Sequence, residues 1–326
     1  MSSSAALNPS RGEATAQDDA GRRRVIGWFT PVVRESRVAI FRTICYLFVI
    51  LDMHVIVRDP IPLSFHPELY RPLLLERLFH LPPPSPPVTI TLYLILLGGS
   101  LLAAANRFPR AAGYVVACAF TWWTAIGMSY GKVDHDHLAL IVALWVLPTV
   151  GTIPGRWTSQ RCSAQAGWAL KCIQIGVVST YFLSALTKIR SGGWSVTSWP
   201  DSSILMWAII RRPRGAGQFL IQYPELLHLM QWCSFIAELS SIVVLWLRGR
   251  ALLLAALFWL GFHLLTVAVL YIHFAPTMIC WLAFAPLERF RPWLQGVVAG
   301  WRQRTGRRPA RHPVPIFRDQ AVDGSG

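Results

Sequence analysis

The chain has 326 residues, of which 53% are apolar and only 14% charged, with six cysteines and a formal net charge of +15. A mean hydropathy of +0.42 joins these figures in excluding a disordered chain, a disulfide-stapled secreted domain and an ordinary cytosolic enzyme. A basic excess of this size marks either a nucleic-acid footprint or segments that face anionic lipid and fix a membrane topology. Here Lys and Arg lie between and beyond long apolar runs rather than on one face of a domain, so the partner expected is the lipid bilayer and nucleic acid is set aside.

Residues 1–36 carry Arg22, Arg23 and Arg24 among small and polar residues, with no apolar core for a signal peptide, and are expected to form a disordered basic cytoplasmic arm. Apolar segments follow at about 39–57, 88–105, 111–129, 138–153, 169–187, 229–247, 251–272 and 276–287. A helix needs roughly 20 residues to cross the hydrocarbon layer. Backbone groups in lipid must bond within their own segment, and no ten-residue alternation of a membrane barrel is present, so these runs are helices. The predicted class is all-α: a polytopic membrane helix bundle over 37–290, of about eight transmembrane segments, with two long outer loops. Residues 291–326 are expected to be a disordered, Arg-rich cytoplasmic tail.

Charge sets the expected orientation. With eight spans and both termini cytoplasmic, 21 of the 31 Lys+Arg fall inside and 9 outside, Arg42 lying within the first segment. The segment 276–287 is short enough to re-enter rather than span, which would put the tail on the other side. The setting expected is a bacterial inner membrane. The long outer loops, 58–87 and 189–228, hold Pro82–Pro84 and the aromatics Trp194, Trp199, Trp207 and Tyr223; they either cap the helix ends or rest in the interface where Trp is enriched. The cysteines show no paired spacing and are assigned to packing, with no metal site among them. No internal repeat and no pair of matched broken helices is found.

An ionisable side chain inside a span costs at least roughly 2.5–3.5 kcal/mol on insertion scales, and such residues are functional candidates. Asp52, Glu238 and His263 qualify, as does Lys188 at the end of the fifth segment, and Asp134-His135-Asp136-His137 leads into the fourth. A shared polar cavity in the outer half would gather them. Tyr181, Ser184 and Lys188 fall on one helix face; Lys188 is either a base tuned by desolvation or a lysine anchoring the helix end. His135 and His137 are two apart and converge on a metal only if the segment is extended; proton transfer and helix capping by Asp134 or Asp136 are the alternatives. His263 either is satisfied by a neighbour or lines a cavity. Asp52 and Glu238 could pair with Arg42, His54 or each other, and Arg42 is expected to reach towards headgroups.

Taken in order, Phe41-Arg42, Leu51-Asp52, Asp134-His135, the run Tyr181-Phe182-Leu183-Ser184-Ala185-Leu186-Thr187-Lys188, Glu238-Leu239-Ser240 and Phe262-His263 resemble the membrane domain of the vitamin K-dependent γ-glutamyl carboxylases and the wider bacterial HTTM family over about 37–290. The resemblance implies a reduced naphthoquinone as cofactor, deprotonated and converted with O₂ to an epoxide. It implies Lys188 as a base, with His135, and Asp134, Tyr181, His263, Asp52 and Glu238 around the cofactor. The sequence departs from that family at Thr187, where a lysine stands, and at Asp134, where an asparagine stands. Only 40 residues follow Pro286, where the carboxylases carry a large β-rich region that holds the protein substrate. The expectation is therefore a membrane protein binding or oxidising a quinol-like lipid, through an epoxidase or carboxylase-like activity. A non-enzymatic accessory or lipid-binding protein of the same architecture is the alternative, and a transporter a third reading.

Overall fold

A computed structural model of the chain describes residues 23–212 and 216–290. The expected arm over 1–22 and tail over 291–326 lie outside the described residues. Eight apolar helices dominate: α1 (Glu35–Val55), α2 (Pro86–Ala104), α3 (Pro109–Ser129), α4 (Leu138–Val146), α5 (Ala164–Ser191), α6 (Pro224–Ser240), α7 (Gly249–Leu270) and α8 (Ala275–Cys280). Tighter helical turns extend α4 over Leu147–Val150, α6 over Ser241–Trp246 and α8 over Trp281–Phe284. Six of these are long and apolar enough to cross a bilayer; the two built on α4 and α8 are shorter. The protein is thus an all-α membrane helix bundle.

Local chemistry sets the helix starts. Pro opens α2, α3 and α6, where its missing N–H is no loss and its fixed φ suits the first turn. Ser163 caps α5 by accepting from the Ala166 N–H at 3.2 Å. At 28 residues, α5 is about 42 Å long and overshoots a hydrocarbon core, which is why its last turn carries Lys188 and Arg190. Tyr271 ends α7 in the left-handed conformation at φ 54°, a helix stop that usually falls to glycine.

Helix α2 packs between α1 and α3, α4 between α3 and α5, and α8 is wedged against α1, α4 and α5. The buried centre of this part includes Phe41, Tyr46, Phe120, Trp123 and Leu144. Arg42 belongs to it as well. Rather than reaching headgroups as expected, it is 2% exposed and donates to the Gly151 carbonyl at 2.7 Å and to Asn106 Oδ1; a buried guanidinium persists only where such acceptors meet it. By contrast α7 buries only Trp259, His263 and Val269. Its outward face, with Leu253, Leu254 and Leu264, is lipid-facing surface.

One further expectation needs correction. Part of the residue 1–36 arm is ordered: residues 23–29 are helical, Trp28 stacks on Trp246 at 5.7 Å and receives Lys171 Nζ at 4.5 Å, and Val33–Arg34 pairs antiparallel with Cys162–Ser163. Apolar Trp28 supplies burial that basic composition concealed. The two long connections each carry short helices. The first folds as Pro60–Leu63 and Leu74–Leu78, pinned to α3 by buried Glu76, which accepts from Ser129 Oγ at 2.5 Å and from the Leu73 N–H at 2.8 Å. Burial, with Glu76 beside it, pushes the Tyr70 phenol up from its ordinary value. The second contains Ile204–Ile210 and Gly217–Leu220, which are main neighbours of α7.

A candidate ligand cavity between three helices

A cavity of about 580 Å³ lies between α5, α6 and α7 and is bordered by Trp199 and the Ile204–Ile210 helix. Most of its lining is apolar. The exceptions converge from different elements: Lys188 and Tyr181 from α5, Glu238 from α6, His263 from α7 and His135 from the turn before α4. Tyr181, Ser184 and Lys188, spaced for one helix face, all line it.

At one wall Lys188 Nζ donates to Glu238 Oε2, and the ammonium also lies 4.1 Å from the centre of the Trp199 ring, an attraction that strengthens out of water. Lys188 is thus neither alone nor snorkelling; its charge is met by a carboxylate and an aromatic face. Trp199 is held by Gln231 of α6, 1% exposed, whose amide donates to Pro200 O at 3.1 Å and Ser202 O at 2.8 Å while accepting from the Leu205 N–H at 2.9 Å. One buried amide therefore fastens the cap onto the bundle. The other aromatics of that loop, Trp194, Trp207 and Tyr223, are exposed and occupy positions suited to an interface.

About two turns earlier on α5, the hydroxyl of Tyr181 is 2.7 Å from His263 Nε2 and accepts from Trp281 Nε1 at 2.9 Å. The Tyr181 ring stacks on Trp259 with centroids 3.8 Å apart, and Phe274 approaches both His263, at 5.0 Å, and His135, at 5.9 Å. His263 Nδ1 is buried with no partner, a condition uncommon enough to need a reason.

The remaining candidates do not join the cavity. Asp52, expected to line it, is fully buried elsewhere: its Oδ2 is 3.2 Å from His137 Nε2, and His137 Nδ1 is 3.0 Å from Asp136 Oδ1. Thr277 of α8 donates to the Asp136 carbonyl at 2.7 Å. This closed cluster ties α1, α4 and α8 together and fixes the turn from which His135 extends. Asp134 stands apart too, 3.9 Å from Lys132 at a partly exposed position. Neither Asp134 nor Asp136 caps α4: no side-chain cap bond forms there, because Asp136 is engaged by His137. With both nitrogens of His137 facing carboxylates, His135 and His137 do not converge on an ion, and among the described residues no group of three or more His, Cys, Asp or Glu is placed to hold a metal.

Sequence reasoning missed Gln231, Trp259 and Trp281, which carry no charge and blend into apolar runs. Against known proteins, no family model, curated sequence or solved structure matches this chain.

Proposed function

We propose that this chain is an integral membrane protein that binds the head of a quinol-like lipid in the α5–α6–α7 cavity, with Lys188 and His135 moving a proton from its hydroxyl. The carrying observation is the convergence of Lys188, Glu238, His135 and the Tyr181–His263 pair on one otherwise apolar cavity. Its volume of about 580 Å³ is in the range of small-molecule sites, which are mostly apolar with a few placed polar groups. The residues suit a ring: Phe262, Phe274 and Trp199 offer faces, and an unpartnered His263 nitrogen awaits an oxygen.

A reduced naphthoquinone would supply an acidic hydroxyl and a ring that reacts with O₂ once deprotonated. The chain's own part is proton handling. Taking a proton from the hydroxyl requires a neutral amine on Lys188, and Glu238, to which its Nζ donates, is the group placed to take up the lysine proton. That amine then takes the hydroxyl proton, and Glu238 retains the one it received. His135, which also lines the cavity, offers the exchange route to the turn region. Asp134 and Asp52 have no direct part in this scheme.

Purified protein incubated with a reduced menaquinone analogue and O₂ tests this: epoxide should form above background, and Lys188→Ala should abolish it. Equal yield from wild type and Lys188→Ala would end the enzymatic reading. One observation favours a non-enzymatic lipid-binding protein instead, namely that Lys188 and Glu238 already neutralise each other. In that case Lys188→Ala and His135→Ala leave function intact while bulky replacements in the cavity do not. For setting, we propose a bacterial inner membrane with both termini cytoplasmic, supported by the 21 to 9 division of Lys+Arg. Reporter fusions at each terminus test the orientation.

A further inference from the structure

The hydrogen bonds around Tyr181 decide which nitrogen of His263 carries its proton. The indole N–H of Trp281 can only donate, so the 2.9 Å contact makes the Tyr181 oxygen an acceptor. Two arrangements remain for the 2.7 Å contact with His263 Nε2. If the imidazole donated, the Tyr181 proton would have no acceptor among the described residues, and Nδ1 would keep an unpaired lone pair, leaving two buried groups unsatisfied. If Tyr181 donates, one group alone is left, a proton on Nδ1. An unmade bond at a buried polar atom costs its full desolvation penalty, so the second arrangement, with one such atom instead of two, is favoured. The chain Trp281 to Tyr181 to His263 then runs in one direction and ends at an N–H with nothing to receive it. His263 is 4% exposed and its ring lines the cavity, but Nδ1 itself is covered, so a ligand oxygen reaches it only when a neighbouring side chain moves aside.

We infer that His263 is a fixed Nδ1–H donor and that the cavity's ligand carries an acceptor oxygen, of the carbonyl or phenolate kind, that receives this bond. The inference rests on the quinol reading for the identity of the ligand but not for the donor itself. It makes His263 a binding residue, and Tyr181 and Trp281 positioning residues that hold its tautomer. It also divides the labour of the site: the Lys188–Glu238 wall handles a proton, while the His263 wall only gives a hydrogen bond.

Two measurements test it. In ligand-free protein, ¹⁵N NMR of labelled histidine should show His263 neutral with its proton on Nδ1, and Tyr181→Phe should release that preference. A proton on Nε2 in wild type overturns the inference whatever the ligand. For the ligand, the probe is oxidised 2-methyl-1,4-naphthoquinone, whose oxygens only accept and which has no hydroxyl proton to lose; binding is followed by tryptophan quenching. An Asn amide nitrogen falls near Nδ1 and a Gln amide near Nε2. His263→Gln should therefore weaken probe binding roughly tenfold, whereas His263→Asn should keep it near the wild-type value. Thermal unfolding of both variants checks that each remains folded. Equal binding by wild type and His263→Gln overturns the inference. Failure of the quinol reading looks different: wild type ignores the probe, or Lys188→Ala turns over as wild type does, while the Nδ1 proton is still observed.

Discussion

The Asp52–His137–Asp136 cluster and the Lys188–Glu238 pair are made of the same materials, carboxylates facing nitrogen groups in an apolar interior, but their surroundings differ. The first sits against Phe120 and α8, each nitrogen of His137 facing an oxygen, and none of its three side chains lines the α5–α6–α7 cavity. The second borders open volume and an α7 that buries only three residues. Each region also holds a buried polar atom without a partner, Asp52 Oδ1 in the first and His263 Nδ1 near the second, so polarity alone does not separate scaffold from site. Adjacent space does. The closed cluster holds three helices in register; the open one has room for something that is not protein.

The largest effect expected follows from breaking the closed cluster. Asp52→Ala strands His137 against Asp136 alone in a fully buried position and should cost about 3–5 kcal/mol, the usual penalty for removing one partner of a buried pair. Glu238→Gln should cost clearly less, since the amide still accepts from Lys188 and the cavity permits adjustment. Denaturant unfolding in micelles compares the two, and equal losses would erase the distinction between scaffold and site.

A pair of mid-helix glycines sharpens the same contrast. A Cβ on Gly113 of α3 would stand 2.6 Å from Pro148 Cγ and 2.7 Å from the Tyr46 hydroxyl, whereas one on Gly261 of α7 would meet nothing within 4 Å. Gly113→Ala should destabilise by about 1–3 kcal/mol through overpacking. Gly261→Ala should stabilise α7 by up to about 1 kcal/mol through helix propensity, while taking a methyl group's volume from the cavity it lines. Melting temperatures of the two variants should move in opposite directions.

These differences also explain what the sequence disclosed. Hydropathy located all eight apolar helices, but ends drifted where polar residues extend them: α5 was expected over 169–187 and runs Ala164–Ser191, because Ser163 caps it and Lys188 and Arg190 suit its last turn. The cost of charge in lipid singled out Asp52, Glu238, His263 and Lys188. It could not pair them, since pairing depends on which helices are neighbours, and so Asp52 was grouped with the cavity though His137 claims it. Gln231 and Trp281 carry no charge that would mark them. Their work, fastening a cap and directing one hydroxyl, exists only once distant segments meet.

Smaller is the effect of Tyr181→Phe, which removes the acceptor of Trp281 and the donor to His263 at once. The stacked ring on Trp259 is retained, so the loss should be about 1–2 kcal/mol, that of hydrogen bonds without a cavity. Thermal unfolding measures it; no change would mean that water replaces the hydroxyl and that this wall is as open as the Lys188 wall.

The smallest effect lies far from both clusters, where Arg37 Nε and Nη2 donate to the two Glu288 oxygens at 2.7 and 2.6 Å. Partial burial opposes the Glu288 charge, but the guanidinium more than offsets it and holds the carboxyl below its usual value of 4.5. A carboxyl lowered on folding contributes stability that is present above its unfolded value and disappears as pH falls through the folded one. For a partly exposed pair that contribution is under about 1 kcal/mol. Wild type should therefore lose slightly more stability than Arg37→Gln as the pH drops from neutral to below 4.5, and added salt should narrow the gap. Parallel profiles would mean that this bidentate contact does not hold Glu288 ionised, and that packing alone fastens the start of α1 to the segment after Pro286.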